Sequence, residues 1–161
     1  INYPFTNDSY LNNILNIEIY SNINTFIGIL RYESNIYEII EWGTITGTKD
    51  LILYPENIYF IYSNDYSFVI LYNDGSIISW GDEYKGGNIN YPNTIVYNSN
   101  ITLIVNTEQA FAALKNDGSV ITWGSPDYGG DSSSVTNNLN NIISLYIFLL
   151  ISSKFQSSLG A

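Results

Sequence analysis

The stretch "AFAALKNDGSVITWG", residues 110–124, reads as strand, tight turn, strand and stop. Apolar residues fill Phe111 to Leu114 and Val120 to Trp123, and Asn-Asp-Gly-Ser lies between them. Asn-Asp suits a type I turn, and Gly118 then takes positive φ as the bulge residue of a hairpin. A second version, "SFVILYNDGSIISWG", occupies residues 67–81, with Asp74 and Gly75 at the turn in place of Asp117 and Gly118. Two hairpins of one design in one chain raise the question of a repeat.

Three Trp-Gly pairs mark it: Trp42-Gly43, Trp80-Gly81 and Trp123-Gly124. The Phe residues that open the hairpins, Phe26, Phe68 and Phe111, are spaced by 42 and 43 residues. The first hairpin is four residues longer between Phe and Trp, and its turn reads "RYESNIY". Gly is missing there, which leaves Asn35 to tolerate the left-handed region. Upstream of each Phe runs one more apolar segment: "NIEIY" (16–20), "IYFIY" (58–62) and "ITLIV" (101–105). A fourth such segment, "IISLY" (142–146), is followed by no Asp-Gly-Ser and no Trp-Gly. Fixed periods of this size belong to solenoids, propellers and arrays.

The expected fold is therefore all-β. It comprises three three-stranded units of about 42 residues, at about 15–56, 57–99 and 100–140, in a single domain over 1–161. A partial fourth unit, 141–161, supplies an extra C-terminal strand. In each unit Trp shares a strand face with the residue two before it, Ile40, Ile78 or Ile121. The middle strand is apolar on both faces, and Gly28, Ala112 and Ala113 are small. That pattern predicts sheets covered on both sides, because a unit of this kind cannot bury a face alone. Phe26, Trp42, Phe68, Trp80, Phe111 and Trp123 are the expected repeat core.

Composition narrows the functions. The net charge is −10, with only five Lys and Arg, which argues against nucleic acid as a partner. Charged residues make up 12%, about half the usual share, so solubility rests on Asn, Ser and Thr. Cys and His are absent, which removes thiolate chemistry, disulfides and the commonest base and metal ligand. No cofactor and no catalytic group is expected. Asp-Gly-Ser is a turn and not the G-x-S-x-G of a nucleophile elbow, and Asp82-Glu83 are adjacent without needing to converge. Asp127 and Asp131 flank a Gly-Gly loop, but the aligned loop carries Tyr84 and Asn88 instead, so metal is not expected. The apolar run "IISLYIFLLI" (142–151) is too short for a membrane-spanning helix and reads as a strand.

The third unit, with "AFAALKNDGSVITWGSPDYGGDSSSV", resembles tandem repeats of the form A-F-A-A-L-x-x-D-G-S-V-x-T-W-G. These are grouped with regulator-of-chromosome-condensation-like repeats. The second unit is similar; the first keeps the Phe, the apolar strands and the Trp-Gly. The resemblance implies propeller-type blades. Closed propellers use about four to eight blades of four strands, so three units and a strand are expected to stack or to form an open, propeller-like array. The family's exchange-factor activity has no matching residues to carry over.

An unpaired apolar strand must find a partner. Ile142, Ile143, Leu145, Ile147, Leu149 and Ile151 are the candidate assembly strand, complementing a neighbouring molecule head to tail. The expected function is a non-enzymatic structural or interaction protein, extracellular or surface-borne, with itself as partner. Two other readings stand beside it: a fragment of a larger propeller-like adaptor, and a carbohydrate-binding module that stacks sugars on an exposed ring such as Tyr84 or Tyr128. Asn7 and Asn100 open Asn-x-Ser/Thr sequons and are candidate glycosylation sites.

Overall fold

A computed structural model describes residues 14–33, 37–44, 55–88 and 100–145. Asn7, Asn35, Ile147, Leu149 and Ile151 lie outside these residues. Among the described residues, nine strands form three separate three-stranded antiparallel sheets in chain order. The first sheet holds β1 (Ile14–Ser21), β2 (Thr25–Tyr32) and β3 (Tyr37–Gly43). The second holds β4 (Ile58–Ser63), β5 (Ser67–Tyr72) and β6 (Ile77–Gly81), and the third β7 (Ile101–Asn106), β8 (Ala110–Lys115) and β9 (Val120–Gly124). Among the described residues the sheets close into neither a barrel nor a propeller ring.

The three units repeat in detail. The first strand of each breaks register near its start, between Ile14 and Asn16, Ile58 and Phe60, and Ile101 and Leu103. Phe faces Trp across the second and third strands every time: Phe26–Trp42, Phe68–Trp80 and Phe111–Trp123. The Trp-Gly glycine follows at positive φ in all three units. A Cβ there would lie 2.2–2.6 Å from a carbonyl oxygen on the turn that precedes the middle strand, which excludes a side chain.

Both Asp-Gly-Ser hairpins fold as their residues dictate. Gly75 and Gly118 have φ of 80° and 81°. The amide of Gly75 donates to the Tyr72 carbonyl (3.0 Å), closing the type I turn, and Tyr72 N donates to Ser76 O (2.9 Å), closing the bulge. Lys115, Gly118 and Ser119 repeat this at 3.0 and 2.9 Å. The acidic residue holds its own turn: the Asp74 carboxylate accepts from Ser76 N (2.8 Å) and Ser76 Oγ (2.6 Å), as Asp117 accepts from Ser119 at 2.9 and 2.6 Å.

The sheets stack face to face, and the core lies between them. Ile27 and Ile29 of the first sheet meet Ile61, Phe68, Ile70, Tyr72 and Trp80 of the second. From the opposite face of the second sheet, Val69, Leu71 and Ile77 meet Ile101, Ile104, Phe111, Ala113 and Trp123 of the third. Every residue of β5 is buried as a result. Its doubly apolar sequence is the signature of a strand covered on both faces.

The C-terminal segment departs from the expected strand. Ile142, Ile143 and Leu145 take part in no strand pairing, and Ile143 is 97% exposed. The segment is nevertheless docked at its start. Ile142 N donates to the Gly118 carbonyl (2.9 Å), just as Ile101 N donates to the Gly75 carbonyl (3.0 Å) where the third unit begins. Asn100 and Asn141, the residues before each, both adopt φ near 60° (67° and 59°), which Asn tolerates better than most residues. Each of these two Asp-Gly-Ser turns thus receives the chain segment that follows its unit.

Candidate assembly surface

The surface follows from how one unit sits on the one before it. The ring pairs stack alike in all three units, at 5.2, 5.5 and 5.3 Å between centroids and within 21° of parallel. Burial separates them. Phe68, Trp80, Phe111 and Trp123 are 0–3% exposed, whereas Phe26 and Trp42 are each 44% exposed. The same break occurs on the first strand. Ile61 and Ile104 are buried, whereas Ile19, which occupies the same register position, is 60% exposed.

Phe26 and Trp42 are therefore not core in the sense expected of them. The core is inter-unit: a unit seals its Ile-Phe-Trp face against the forward face of the preceding sheet. No sheet among the described residues lies against the first unit's face. Ile17 and Ile19 of β1 extend this apolar surface, because they pair with Leu30 and Gly28, the strand neighbours of Phe26 on that face.

The second-to-third junction shows what such a face engages. After the Trp-Gly pairs of the second and third units comes a short 3-10 turn, Glu83–Lys85 or Pro126–Tyr128, that ends on a glycine with φ of 105° (Gly86) or 95° (Gly129). The Trp123 indole Nε1 donates to the Gly86 carbonyl (3.1 Å). The Phe111 ring lies so close that a Cβ on Gly86 would sit 2.6 Å from it. Gly124 is also near, since a Cβ on it would lie 3.2 Å from the Gly86 amide nitrogen. Asp65 N also donates across the two units, to Glu108 O (3.2 Å). Gly86 is buried by these contacts, whereas Gly129 is exposed and nothing would meet its Cβ within 4 Å.

The loop itself is held from its own unit. Asn64 Nδ2 donates to Lys85 O (2.7 Å), and Ser67 Oγ to the same carbonyl (3.0 Å). In the third unit Thr107 Oγ1 takes that role toward Tyr128 O (2.9 Å). Tyr128 is thus equivalent to Lys85, and Asp127 to Tyr84, in keeping with the equal spacing of Trp-Gly and Gly-Gly in the two loops. Tyr84 and Tyr128 are both exposed, while Lys85 lies over the Tyr66 ring, 3.6 Å from its centroid, and 3.6 Å from Asp82.

Electrostatics reinforce the turns. Hydrogen bonds from the Ser76 hydroxyl and amide hold the Asp74 carboxyl below its ordinary value, and Ser119 does the same for Asp117. Asp131 is lowered by the Ser133 amide and hydroxyl, so this carboxylate caps its own segment. At the first unit two tyrosines are pushed up to about 12: Tyr20 by burial and then by Glu18, and Tyr32 by its hydrogen bond to Glu38 (2.6 Å). Asn100 is exposed and precedes β7, with Thr102 of its sequon donating to Leu114 O (3.2 Å).

No helix among the described residues is long and apolar enough to cross a membrane. No protein-family model matches the chain, and a search of curated proteins finds no significant match.

Proposed function

We propose that this is a non-enzymatic structural or interaction protein that associates with itself head to tail, building a filament or a surface assembly. The supporting observation is the exposed Ile19-Phe26-Trp42 face. Its two counterparts within the chain are sealed by a neighbouring unit, and a contiguous apolar surface of this kind marks an interaction site. A contact between unlike faces propagates into an open filament when its rotation does not close. The location that fits is extracellular or surface-borne. The relation to regulator-of-chromosome-condensation-like repeats belongs to the same reading and rests on the Asp-Gly-Ser and Trp-Gly hairpins. Strand complementation by the 142–151 segment is a second route to the same assembly. Negative-stain microscopy together with sedimentation velocity over a concentration series tests the reading. Extended particles and a rising sedimentation coefficient are expected; a monodisperse monomer at high concentration refutes it.

A carbohydrate-binding reading draws on the same exposed rings, Phe26 and Trp42, more than on Tyr84 or Tyr128. Glycan-array binding that disappears on Trp42→Ala, in a chain that remains monomeric, would favour it.

A further inference from the structure

The molecule displays both halves of a contact that it makes internally. One half is the Phe-Trp plug, buried as Phe111-Trp123 and open as Phe26-Trp42. The other is the left-handed glycine that closes the post-Trp turn, covered at Gly86 and bare at Gly129. The two turns are alike: Gly87 N donates to Asp82 O and Gly130 N to Ser125 O, both at 2.8 Å. The bare socket is therefore already in the shape that receives a plug.

We propose that the partner of the Phe26-Trp42 face is the Pro126–Gly130 turn of a second copy of this chain, with Trp42 Nε1 donating to the Gly129 carbonyl and Phe26 lying on the Gly129 α-carbon. This rests on the self-association proposed above and specifies its contact. The occupant is inferred from continuity with the established junction: the ring pair, the glycine and the indole-to-carbonyl bond of Trp123 and Gly86 all have open equivalents. A glycine is required on the receiving side, because any Cβ there would collide with the incoming Phe as it would at Gly86. The contact joins unlike surfaces, so it has a direction. It leaves a Phe26-Trp42 plug at one end of every open oligomer and a Gly129 socket at the other.

The chain contains no cysteine, so single cysteines report the geometry cleanly. Thr44 follows the Trp-Gly pair of the plug, and Tyr128 precedes the socket glycine; both are exposed. Their counterparts at the internal junction flank Gly124 and Gly86, which lie so close that a Cβ on Gly124 would sit 3.2 Å from the Gly86 amide nitrogen. Thr44→Cys and Tyr128→Cys proteins are mixed and treated with a short bismaleimide. The expected result is a crosslinked dimer in the mixture and not in either variant alone. Adding Trp42→Ala to the Thr44→Cys chain should weaken association at least ~10-fold, as truncating an aromatic anchor does, while circular dichroism stays unchanged. Gly129→Ala in the Tyr128→Cys chain should do likewise. If the chain self-associates in sedimentation but the mixture does not crosslink, or if either variant crosslinks equally alone, this contact is overturned while self-association stands. If no association is seen at any concentration, both fall.

Discussion

Replacing Trp123 or Trp80 with Phe removes equivalent atoms from two equivalent sites, yet the consequences should differ. Both indoles are buried, at 0% and 3% exposure, and both stack on a Phe, at 5.3 and 5.5 Å and at 21° and 20°. The packing loss is therefore closely matched. The nitrogen is not. Trp123 Nε1 donates to Gly86 O at 3.1 Å, whereas Trp80 Nε1 is buried with no partner among the described residues. Trp123→Phe strands the Gly86 carbonyl in the junction, and an orphaned buried acceptor costs about 1–3 kcal/mol. Trp80→Phe instead removes a donor that was already unsatisfied, which offsets part of its packing loss. Trp123→Phe should thus be the more destabilising by at least ~1 kcal/mol, and by up to about 3. For a chain of this size that corresponds to roughly 3–9 °C in Tm. Urea unfolding followed by far-UV circular dichroism measures it, comparing midpoints at unchanged slope. If Trp80→Phe costs as much as Trp123→Phe, the indole-to-glycine bond contributes nothing and the account of the junction is wrong.

Phe111→Ala should cost about 3–5 kcal/mol, the usual loss for a buried aromatic, while Phe26→Ala should cost the monomer clearly less; equilibrium unfolding below the association concentration distinguishes them. Gly118→Ala forces a side chain into the left-handed region and should cost about 1–2 kcal/mol, whereas Gly118→Asn should be milder, again by urea midpoint. The Asp74 and Asp117 carboxyls are depressed in the folded state, so their contribution is complete above the unfolded carboxylate value of about 3.9. It is lost as pH falls through the lower folded values. A Tm-versus-pH profile of the double Asp→Asn variant should therefore be flatter on its acid limb than that of the parent. On the alkaline side, Tyr32 ionises near 12 when folded against an ordinary 10.0. Stability it contributes is present below pH 10 and lost toward 12; ultraviolet titration of Glu38→Gln should show one tyrosine moving back toward its ordinary value.

Much of the unit was legible in the residues. Asn-Asp-Gly-Ser specifies one turn geometry, a local demand that a sequence carries openly; the Trp-Gly glycine reads as the stop of its strand, and the structure adds the close approach that excludes a side chain. β5, "SFVILY", also declared itself, because an unbroken apolar run from Phe68 to Leu71 needs cover on two faces. What was not legible depends on neighbours. Phe26 and Trp42 are the same residue types at the same spacing as their buried counterparts, and only the position of the preceding sheet distinguishes them. The equivalence of Tyr128 with Lys85, by contrast, follows from the equal spacing of Trp-Gly and Gly-Gly in the two loops, and the side-chain bonds from Asn64 and Thr107 to the Lys85 and Tyr128 carbonyls agree with it. Ile142 to Leu145 carry the composition of a strand, but pairing needs an edge to pair with.

The sealed position of β5 governs how the molecule comes apart. Its amides lie in a sheet with a hydrophobic layer on either side, so no opening confined to one end of the stack frees them. Hydrogen exchange there should track the global unfolding free energy, with protection falling through β8 and β2 toward the outer faces. A stack held in this way loosens from its two ends inward, and each further layer deposited on an end would convert its most labile sheet into a protected interior one.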